Sequence, residues 1–285
     1  MYNLRMKNLI FTVKDTDGMK ISDYLKRRLG FSSALITKIK FGGVSLNGAV
    51  VTMRASVKEG DIISVTFPDE KSENVEPIAM PLDILYEDEH IIAVNKPSDM
   101  PTHPSRGNHM PTLANAVAAY LGAPFVFRAI NRLDRGTSGI VIIAKNPYAA
   151  AKLGRAMKER QIHKKYLALV SGIPEPREGL IDCPIARERE GELKRVVRED
   201  GKSALTEYRV IEETNDGNAI CEITLHTGRT HQIRVHMSYI GHPLVGDFMY
   251  GDGDAIGYSL TCAEISLPHP EKDEILILKL NMKKA

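Results

Sequence analysis

The sequence predicts an α+β protein with a small unit at its start and a larger unit after it. Segments with strand periodicity and segments with helix periodicity do not alternate strictly, which favours an α+β architecture over a doubly wound sheet. The stretch 68–81 carries three prolines and four acidic residues with little apolar periodicity, as linkers between domains do. The 285 residues are enough for one large domain, a small one and a buried core.

The small unit, 13–67, is predicted to contain two short helices and a hairpin. Apolar residues recur at helical spacing over 21–29. A second helix is predicted to start at Ser32 or Ser33, both good N-cap residues. The Asn-Gly pair at 47–48 stands between alternating residues and is a strong hairpin signal.

Basic side chains crowd this small unit. Between residues 20 and 59 only Asp23 and Glu59 are acidic, whereas the basic residues of the same stretch are Lys20, Lys26, Arg27, Arg28, Lys38, Lys40, Arg54 and Lys58. Such a cluster is either a set of solvated helix faces or a phosphate-binding surface. The shortage of acidic partners favours contact with RNA. The predicted contact residues are Lys26, Arg27, Arg28, Lys38 and Lys40.

The larger unit spans 82–285 and mixes strands with helices. Apolar runs and alternating patterns predict strands at 91–95, 139–144, 166–170, 206–211 and 219–226. One helix is predicted over 113–121. Another is predicted from Asn146-Pro147, where a cap residue precedes a proline at the first helical position.

Bulk properties exclude several classes of protein. The net charge of +2 does not by itself mark a nucleic-acid binder, so the distribution of charge has to be read instead. No apolar run approaches the ~18 residues of a membrane helix, and the N-terminus lacks the features of a signal peptide. The cysteines are far apart, odd in number and form no CxxC pair, which argues against a disulfide framework and a zinc site. A reducing cytoplasm is therefore the expected location.

The segment 132–139 is the first with the chemistry of an active site. Asp134 lies between Arg132 and Arg135, and opposite charges nearby favour the ionised form of a carboxyl group. An ionised carboxylate can act as a nucleophile or a base. Arginines also bind RNA phosphates well. The alternative is a salt-bridged loop, and these residues alone leave both interpretations open.

The segment 227–243 is the second segment with the chemistry of an active site. It predicts a helix capped by Thr230, with Arg229 before it and with His231 and Arg234 on its polar side. Arg234 is placed to reach a carboxylate or a phosphate, or to form an ordinary surface ion pair. His231 and His236 are five residues apart and do not share a helical face, so no metal site is expected.

Tyr166, at the start of a predicted strand, is the third candidate. Its ring suits stacking on a base and its hydroxyl suits proton transfer, although a tyrosine in this position is commonly part of a core. The glycines at 251–253 lack the strand–loop–helix order and the Lys-Ser/Thr pair of a nucleotide-binding loop.

Taken together and in order, these segments closely resemble the RluA/RluD-type pseudouridine synthases. The matching runs are Asn95-Lys96-Pro97, 132–139, Lys165-Tyr166, Thr206-Glu207-Tyr208, 228–236 and 241–247. This resemblance extends from residue 82 to the C-terminus. The small unit in turn resembles the alpha-L RNA-binding domain. One departure is visible, because Asn131 stands where the family usually has histidine.

The resemblance implies a catalytic domain built on a mixed, mostly antiparallel sheet with flanking helices and a central basic cleft. It also implies that a small α+β RNA-binding domain precedes this catalytic domain. By resemblance Asp134 is the catalytic aspartate, Tyr166 packs against the target base and moves a proton, and Arg234 pairs with Asp134. Arg132 is the arginine that helps to hold a flipped-out nucleotide. The predicted RNA contacts around the site are Arg132, Arg135, Arg229 and His231.

The activity so implied is isomerisation of specific uridines to pseudouridine in structured RNA. Large-subunit ribosomal RNA is the expected substrate, with transfer RNA as an alternative. No metal or other cofactor is expected, nor a membrane partner, and a monomer is favoured. Two other hypotheses stay open at this point: a non-catalytic RNA-binding ribosome-assembly factor, and a metal-dependent phosphodiesterase that uses the histidines.

Overall fold

A computed structural model describes residues 8–16, 18–68, 75–104, 111–122, 125–253 and 257–281. The described helices are α1 Ile21–Arg27, α2 Ser33–Ile39, α3 Leu113–Leu121, α4 Pro147–Lys158 and α5 Gln232–Tyr239. The described strands are β1 Asn8–Thr12, β2 Val44–Leu46, β3 Ala49–Val50, β4 Ile62–Thr66, β5 Asp83–Glu87, β6 Ile91–Lys96, β7 Arg128–Ala129, β8 Ser138–Ala144, β9 His163–Val170, β10 Glu178–Asp182, β11 Ile185–Arg187, β12 Arg195–Val197, β13 Leu205–Glu213, β14 Ala219–Leu225, β15 Leu260–Pro268 and β16 Ile275–Lys279. No described helix has the length and apolarity needed to cross a bilayer.

The small unit is a four-stranded antiparallel sheet, in the order β1-β4-β2-β3, with α1 and α2. The predicted second helix is confirmed: α2 begins at Ser33, and the Ser32 hydroxyl accepts the Leu35 amide hydrogen at 3.2 Å. The predicted hairpin is also confirmed, with Asn47 and Gly48 both at positive φ between β2 and β3.

The start of the small unit differs from the predicted residue 13. The strand β1 precedes it and pairs along β4, so the sheet begins at Asn8. Only Leu9 and Phe11 of β1 are buried, and the other residues of the strand are exposed. Because β1 is a short edge strand, its alternating pattern is too brief to be recognised without its neighbour.

The larger unit is built on a mixed sheet of ten strands. Eight of them follow the order β10-β13-β14-β9-β15-β8-β6-β5, while β16 pairs with β15 and β7 with β8. Among the described pairs only β8 and β15 run parallel. The predicted α+β class and the mostly antiparallel sheet are therefore confirmed. Tyr166 lies inside β9, which starts at His163, and not at the start of a strand as predicted.

The strands β6 and β8 form the centre of the core. Every residue of β8 from Gly139 to Ala144 is buried, as is typical of a strand covered on both faces. The helix α4 packs against β8 and β15, and α5 packs against β12 and β13. At Gly139, with φ 110°, an added Cβ would lie 2.3 Å from the Cys262 carbonyl oxygen. Glycine is therefore required where β8 passes β15.

One aromatic side chain joins the two units. Tyr148 belongs to α4 but is 2% exposed within the core of the small unit. Its ring centroid lies 5.4 Å from that of Phe11 and 5.0 Å from that of Phe31. The small unit therefore rests on α4 through Tyr148.

Replacing Tyr148 by alanine is expected to reduce the free energy of unfolding by about 3–5 kcal/mol, since it removes a large buried aromatic ring. Tyr148→Phe is the matched control, because it keeps the ring and is expected to change stability little. Urea denaturation of the full chain measures both. An alanine variant as stable as the phenylalanine variant would show that the ring does not hold the units together.

Candidate active site

The loop that carries Asp134 is fixed by hydrogen bonds on either side of that residue. Asn131 donates from Nδ2 to the Ile140 carbonyl oxygen and accepts the Ile142 amide hydrogen, both at 2.9 Å. The carbonyl oxygen of Asp134 accepts the Thr137 amide hydrogen at 3.0 Å. The loop therefore presents the Asp134 side chain, 36% exposed, from a fixed backbone. Asn131 ties this loop to β8, which is its local role in this chain.

A buried lysine, Lys96, forms hydrogen bonds with backbone carbonyl groups of the same loop and of the neighbouring segment 97–100. Lys96 is 0% exposed and donates from Nζ to the carbonyl oxygens of Pro97 at 2.8 Å, Met100 at 2.7 Å and Arg135 at 3.3 Å. Burial lowers the pKa of Lys96 to about 8, although the charges of Asp134 and nearby Asp99 oppose this shift. The sequence reasoning noted Lys96 only as part of a matching motif and missed this role.

The two arginines beside Asp134 in sequence do not face its carboxylate. Arg135 is exposed and pairs with Asp99 at 2.7 Å. Arg132 is exposed too, and its charge adds to burial in lowering the pKa of His103. The cationic groups on which the charge of Asp134 acts are instead Lys96, Arg234 and, when protonated, His231.

Tyr166 is buried in the sheet, opposite Cys262 of β15. Burial raises the pKa of Tyr166 well above its ordinary value, and the neighbouring Cys262 and Asp134 raise it further. Its hydroxyl group therefore keeps its proton at neutral pH. Asp134 is close enough for its charge to act on Tyr166, although 32 residues separate the two in sequence.

Arg234 is 3% exposed and makes a bidentate ion pair with Asp247. Its Nε and Nη2 lie 2.6 and 2.7 Å from the two carboxylate oxygens. The guanidinium group also lies over the rings of Tyr250, at 4.8 Å, and Tyr258, at 4.2 Å. Arg234 pairs with Asp247 and not with Asp134 as predicted, because the fully buried Asp247 carboxylate binds both Nε and Nη2 of the arginine. The charge of Arg234 still acts on Asp134 from a longer distance.

His231 stands between Asp134 and Tyr250. Its Nε2 lies 3.9 Å from Asp134 Oδ2, and its Nδ1 lies 2.7 Å from the Tyr250 hydroxyl oxygen. That oxygen also accepts the Arg195 amide hydrogen at 2.9 Å, so Tyr250 connects His231 to β12. Burial lowers the pKa of His231, which favours its neutral form.

The helix that follows His231 starts later than predicted. α5 begins at Gln232, and the residue at its N-cap is His231, with φ 58°, not Thr230. The Gln232 side chain donates to the Leu205 carbonyl oxygen and to Thr206, and it accepts the Arg229 amide hydrogen. These bonds shape the turn before α5, so the cap residue expected from sequence is not needed.

His236 has no free nitrogen for a metal. Its Nδ1 lies 2.9 Å from the Thr206 hydroxyl and its Nε2 lies 2.9 Å from the Cys183 carbonyl oxygen. Within the described ranges no group of three or more His, Cys, Asp or Glu side chains is arranged to hold a metal ion. The histidine-based phosphodiesterase hypothesis finds no support in this geometry.

The remaining predicted RNA contacts lie on the surface. Arg229 is exposed and donates from Nε to the Ser203 carbonyl oxygen at 2.9 Å. In the small unit all the predicted contact residues are exposed: Lys26, Arg27, Arg28, Lys38 and Lys40. Lys40 lies 4.6 Å over the ring of Phe41, which is 86% exposed. A basic surface that also offers an exposed ring suits stacking on a base.

Stability is expected to fall as the pH drops below about 6.5. Burial lowers the pKa of both His231 and His236 in the folded protein, so the unfolded chain binds more protons in this range. Urea denaturation between about pH 7 and pH 5 measures the effect. His236→Gln should flatten the dependence, whereas the same change at the exposed His163 should not. A wild-type stability that rises on acidification would contradict this prediction.

Comparison with known proteins identifies the class of enzyme that this fold and site define. The family described as RNA pseudouridylate synthase matches residues 90–239. An uncharacterized RNA pseudouridine synthase of Bacillus subtilis, YjbO, is 40% identical over 264 residues, 90% of this chain and 93% of that protein. Ribosomal large subunit pseudouridine synthase D of Xylella fastidiosa is 40% identical over 231 residues, 78% of this chain and 67% of that protein.

A solved structure agrees with these sequence comparisons. Human RNA pseudouridylate synthase domain containing 1 superimposes with a TM-score of 0.59 at 30% identity, covering 72% of this chain and 86% of that one. The chain therefore belongs to the RNA pseudouridylate synthase family and is an RluA/RluD-type isomerase. Enzymes of this family convert uridine to pseudouridine in RNA.

Proposed function

We propose that this protein isomerises specific uridines of a structured RNA and that Asp134 is the carboxylate that does so. The observation that carries the proposal is the grouping of three distant residues. Asp134 acts electrostatically on both Tyr166 and Arg234, although Asp134 and Arg234 are 100 residues apart in sequence. A partly exposed carboxylate beside buried, charged and aromatic groups fits a site that must receive one base.

The chemistry follows from the groups around Asp134. A uridine stacked in a helix has to be extruded first, at a cost of a few kcal/mol. The carboxylate then either adds to the anomeric sugar carbon or removes a sugar proton to give a glycal, and in both cases the uracil leaves. The uracil rotates and a ring carbon bonds to the anomeric carbon, which displaces the Asp134 carboxylate in the first route and is accompanied by return of the proton to the sugar in the second. The ring carbon then loses its own proton, which restores the aromatic base. Tyr166, which keeps its hydroxyl proton, packs against the base and takes part in proton transfer.

His231 and Arg234 provide the electrostatic frame. His231 Nε2 lies 3.9 Å from Asp134 Oδ2, and the charge of the buried Arg234 acts on Asp134 as well. The cations Lys96 and Arg234 and the exposed Arg132, Arg135 and Arg229 form the basic cleft in which we place the RNA.

We propose large-subunit ribosomal RNA as the substrate, with transfer RNA as the second candidate. The relative from Xylella fastidiosa is named for the ribosomal large subunit, which supports the first. The enzyme would then work in the cytoplasm, and we place it there as a monomer. A non-catalytic assembly factor is disfavoured, since such a protein has no use for the Asp134, Tyr166 and Arg234 grouping.

The small unit is proposed to be an RNA-binding domain of the alpha-L type. It is joined through the linker 68–81 to the catalytic domain that starts at residue 82. Four of its exposed basic residues have no carboxylate within 4.0 Å among the residues that the structure describes: Lys26, Arg27, Arg28 and Lys40. Together with Phe41 they provide charge for phosphates and a ring for a base.

The experiment that tests the function is a map of pseudouridines in total cellular RNA from strains with and without the gene. At least one pseudouridine should disappear on deletion and return when the wild-type gene is restored. The RNA that carries this position identifies the substrate. A map that does not change on deletion would refute the proposed function and favour the assembly factor.

The role of the small unit is tested by charge removal, because truncation would expose the buried ring of Tyr148. Replacing Lys26, Arg27 and Arg28 by glutamine should weaken RNA binding and flatten its salt dependence. The logarithmic slope should fall by roughly 0.9 per lost duplex phosphate contact. The exposed Lys272 lies far along the chain near Glu274, and Lys272→Gln is the control. An unchanged slope in the triple variant would remove the small unit from the RNA interface.

A further inference from the structure

A cavity of about 460 Å³ is lined in part by Tyr250, whose hydroxyl group also bonds to His231 beside Asp134. It is lined by the edge of the β11–β12 hairpin, by α5 and by residues that follow Asp247. Its lining residues are Lys194, Arg195, Val196, Val197, Val235, Ser238, Tyr239, Met249, Tyr250 and Gly251. The volume falls in the range of roughly 300–1,000 Å³ that ligand sites occupy.

The charge of the cavity is entirely positive. Its ionisable cations are Lys194 and Arg195, and none of the lining residues is acidic. Lys194 is paired with Glu188 at 3.2 Å, outside the lining. Arg195 differs, because its Nη1 is buried and has no hydrogen-bond partner in the part of the chain that the structure describes. A guanidinium group with an unsatisfied nitrogen and no carboxylate partner among the described residues is unfavourable, and an anion against the part of it that lines the cavity would supply the counter-charge.

The hairpin pairs two like charges across its strands. Arg195 of β12 stands directly opposite Arg187 of β11 in the antiparallel register. Two like charges in directly opposed positions destabilise a strand pair. A bound phosphate near Arg195 would reduce this repulsion.

The rest of the lining suits a base. Val196, Val197 and Val235 give apolar walls, and Tyr239 is 60% exposed. Tyr250 is shared with the Asp134 site, since it lines the cavity and also bonds through its hydroxyl to His231. The same hydroxyl accepts the Arg195 backbone amide hydrogen, so the hairpin and the candidate active site are one connected structure.

We propose that this cavity binds one nucleotide of the RNA strand that flanks the extruded uridine. Its phosphate contacts the Arg195 guanidinium group, and its base packs on the valine side chains and on Tyr239. The proposal rests on the proposed function, because it takes the RNA to be the substrate bound at Asp134. It assigns Arg195 to substrate positioning, which the sequence motifs did not indicate.

The first test measures binding alone, in Asp134→Asn protein so that no turnover occurs. The probe is a 12-residue oligouridylate, and its affinity is measured by fluorescence anisotropy over a series of salt concentrations. Arg195→Gln should reduce the logarithmic salt slope by about 0.7, the value of one phosphate contact on a single strand. The matched control is Arg198→Gln, since Arg198 lies in the same segment but is exposed and already paired with Asp200.

The second test locates the contact on the substrate. A synthetic RNA hairpin around the uridine found by the cellular map receives one neutral methylphosphonate linkage at a time. One linkage next to the uridine should weaken binding about tenfold in the protein with Arg195 and not at all in the Arg195→Gln protein. The Arg195→Lys variant, which keeps the charge, should remain sensitive at that linkage.

The outcomes separate this inference from the proposed function. The cavity does not bind an RNA phosphate if Arg195→Gln has the same salt slope as Arg198→Gln in the oligouridylate test. The same conclusion follows if the Arg195→Gln protein still loses affinity at the same methylphosphonate linkage as the protein with Arg195. Neither result would bear on whether the protein forms pseudouridine. If no pseudouridine depends on the gene but the Arg195 effect on the slope is present, the proposed function fails and the cavity still binds RNA.

Discussion

Replacing Asp134 by asparagine is expected to lower the single-turnover rate of pseudouridine formation by about 10⁴-fold or more, as removal of a catalytic nucleophile does. Asparagine has nearly the same shape but cannot add to the sugar or take its proton. The side chain is 36% exposed and its loop is held by Asn131, so folding should be unaffected. RNA affinity should stay within about tenfold, because Asp134 brings a negative charge to a negatively charged ligand.

Asp99→Asn is the matched control for this prediction. Asp99 is an exposed aspartate that pairs with Arg135, the neighbour of Asp134, and its φ of 64° suits asparagine as well. It removes one negative charge from the same region without touching the proposed nucleophile. A similar loss of rate in both variants would mean that general electrostatics, and not the Asp134 carboxylate, is responsible.

Replacing Asp247 by asparagine is expected to destabilise the folded protein by about 3–5 kcal/mol, because it leaves the Arg234 charge buried and unpaired. Asp247 also accepts the backbone amide hydrogens of Met249 and Tyr250. The change should therefore disturb Tyr250 and, through it, His231 beside Asp134. Activity should fall together with stability.

The exposed pair of Asp200 with Arg198 provides the comparison, and Asp200→Asn should change the urea midpoint little. The double variant Arg234→Gln, Asp247→Asn should be less destabilised than the sum of the two single variants, because it leaves no uncompensated charge. Strict additivity would show that the two side chains do not act as one buried pair.

The sequence predicted the elements with strong local signals. Asn146-Pro147 begins α4 as expected, and Ser32 caps α2. The apolar runs of β6 and β8 were recognisable because both faces of these strands are buried. The strand β1 was missed, since its partner β4 lies about fifty residues away and supplies most of its context.

The candidate site was predicted by residue type but not by geometry. Asp134, Tyr166 and Arg234 were expected to meet, and the charge of Asp134 does act on the other two. The ion-pair partner of Arg234 was assigned wrongly, because sequence does not show that Asp247 is the more deeply buried carboxylate. Tyr258, over which Arg234 stacks, lies in no motif that the sequence analysis recognised. Gly136 packs against its ring, where an added Cβ would lie 2.8 Å away.

The most direct measurement is the pseudouridine map of cellular RNA from a deletion strain that carries the gene with Asp134→Asn, made at normal protein abundance. The account predicts that every pseudouridine restored by the wild-type gene stays absent with this variant, and that each is restored by Asp99→Asn. Return of those pseudouridines in the Asp134→Asn strain would contradict the claim that Asp134 performs the isomerisation.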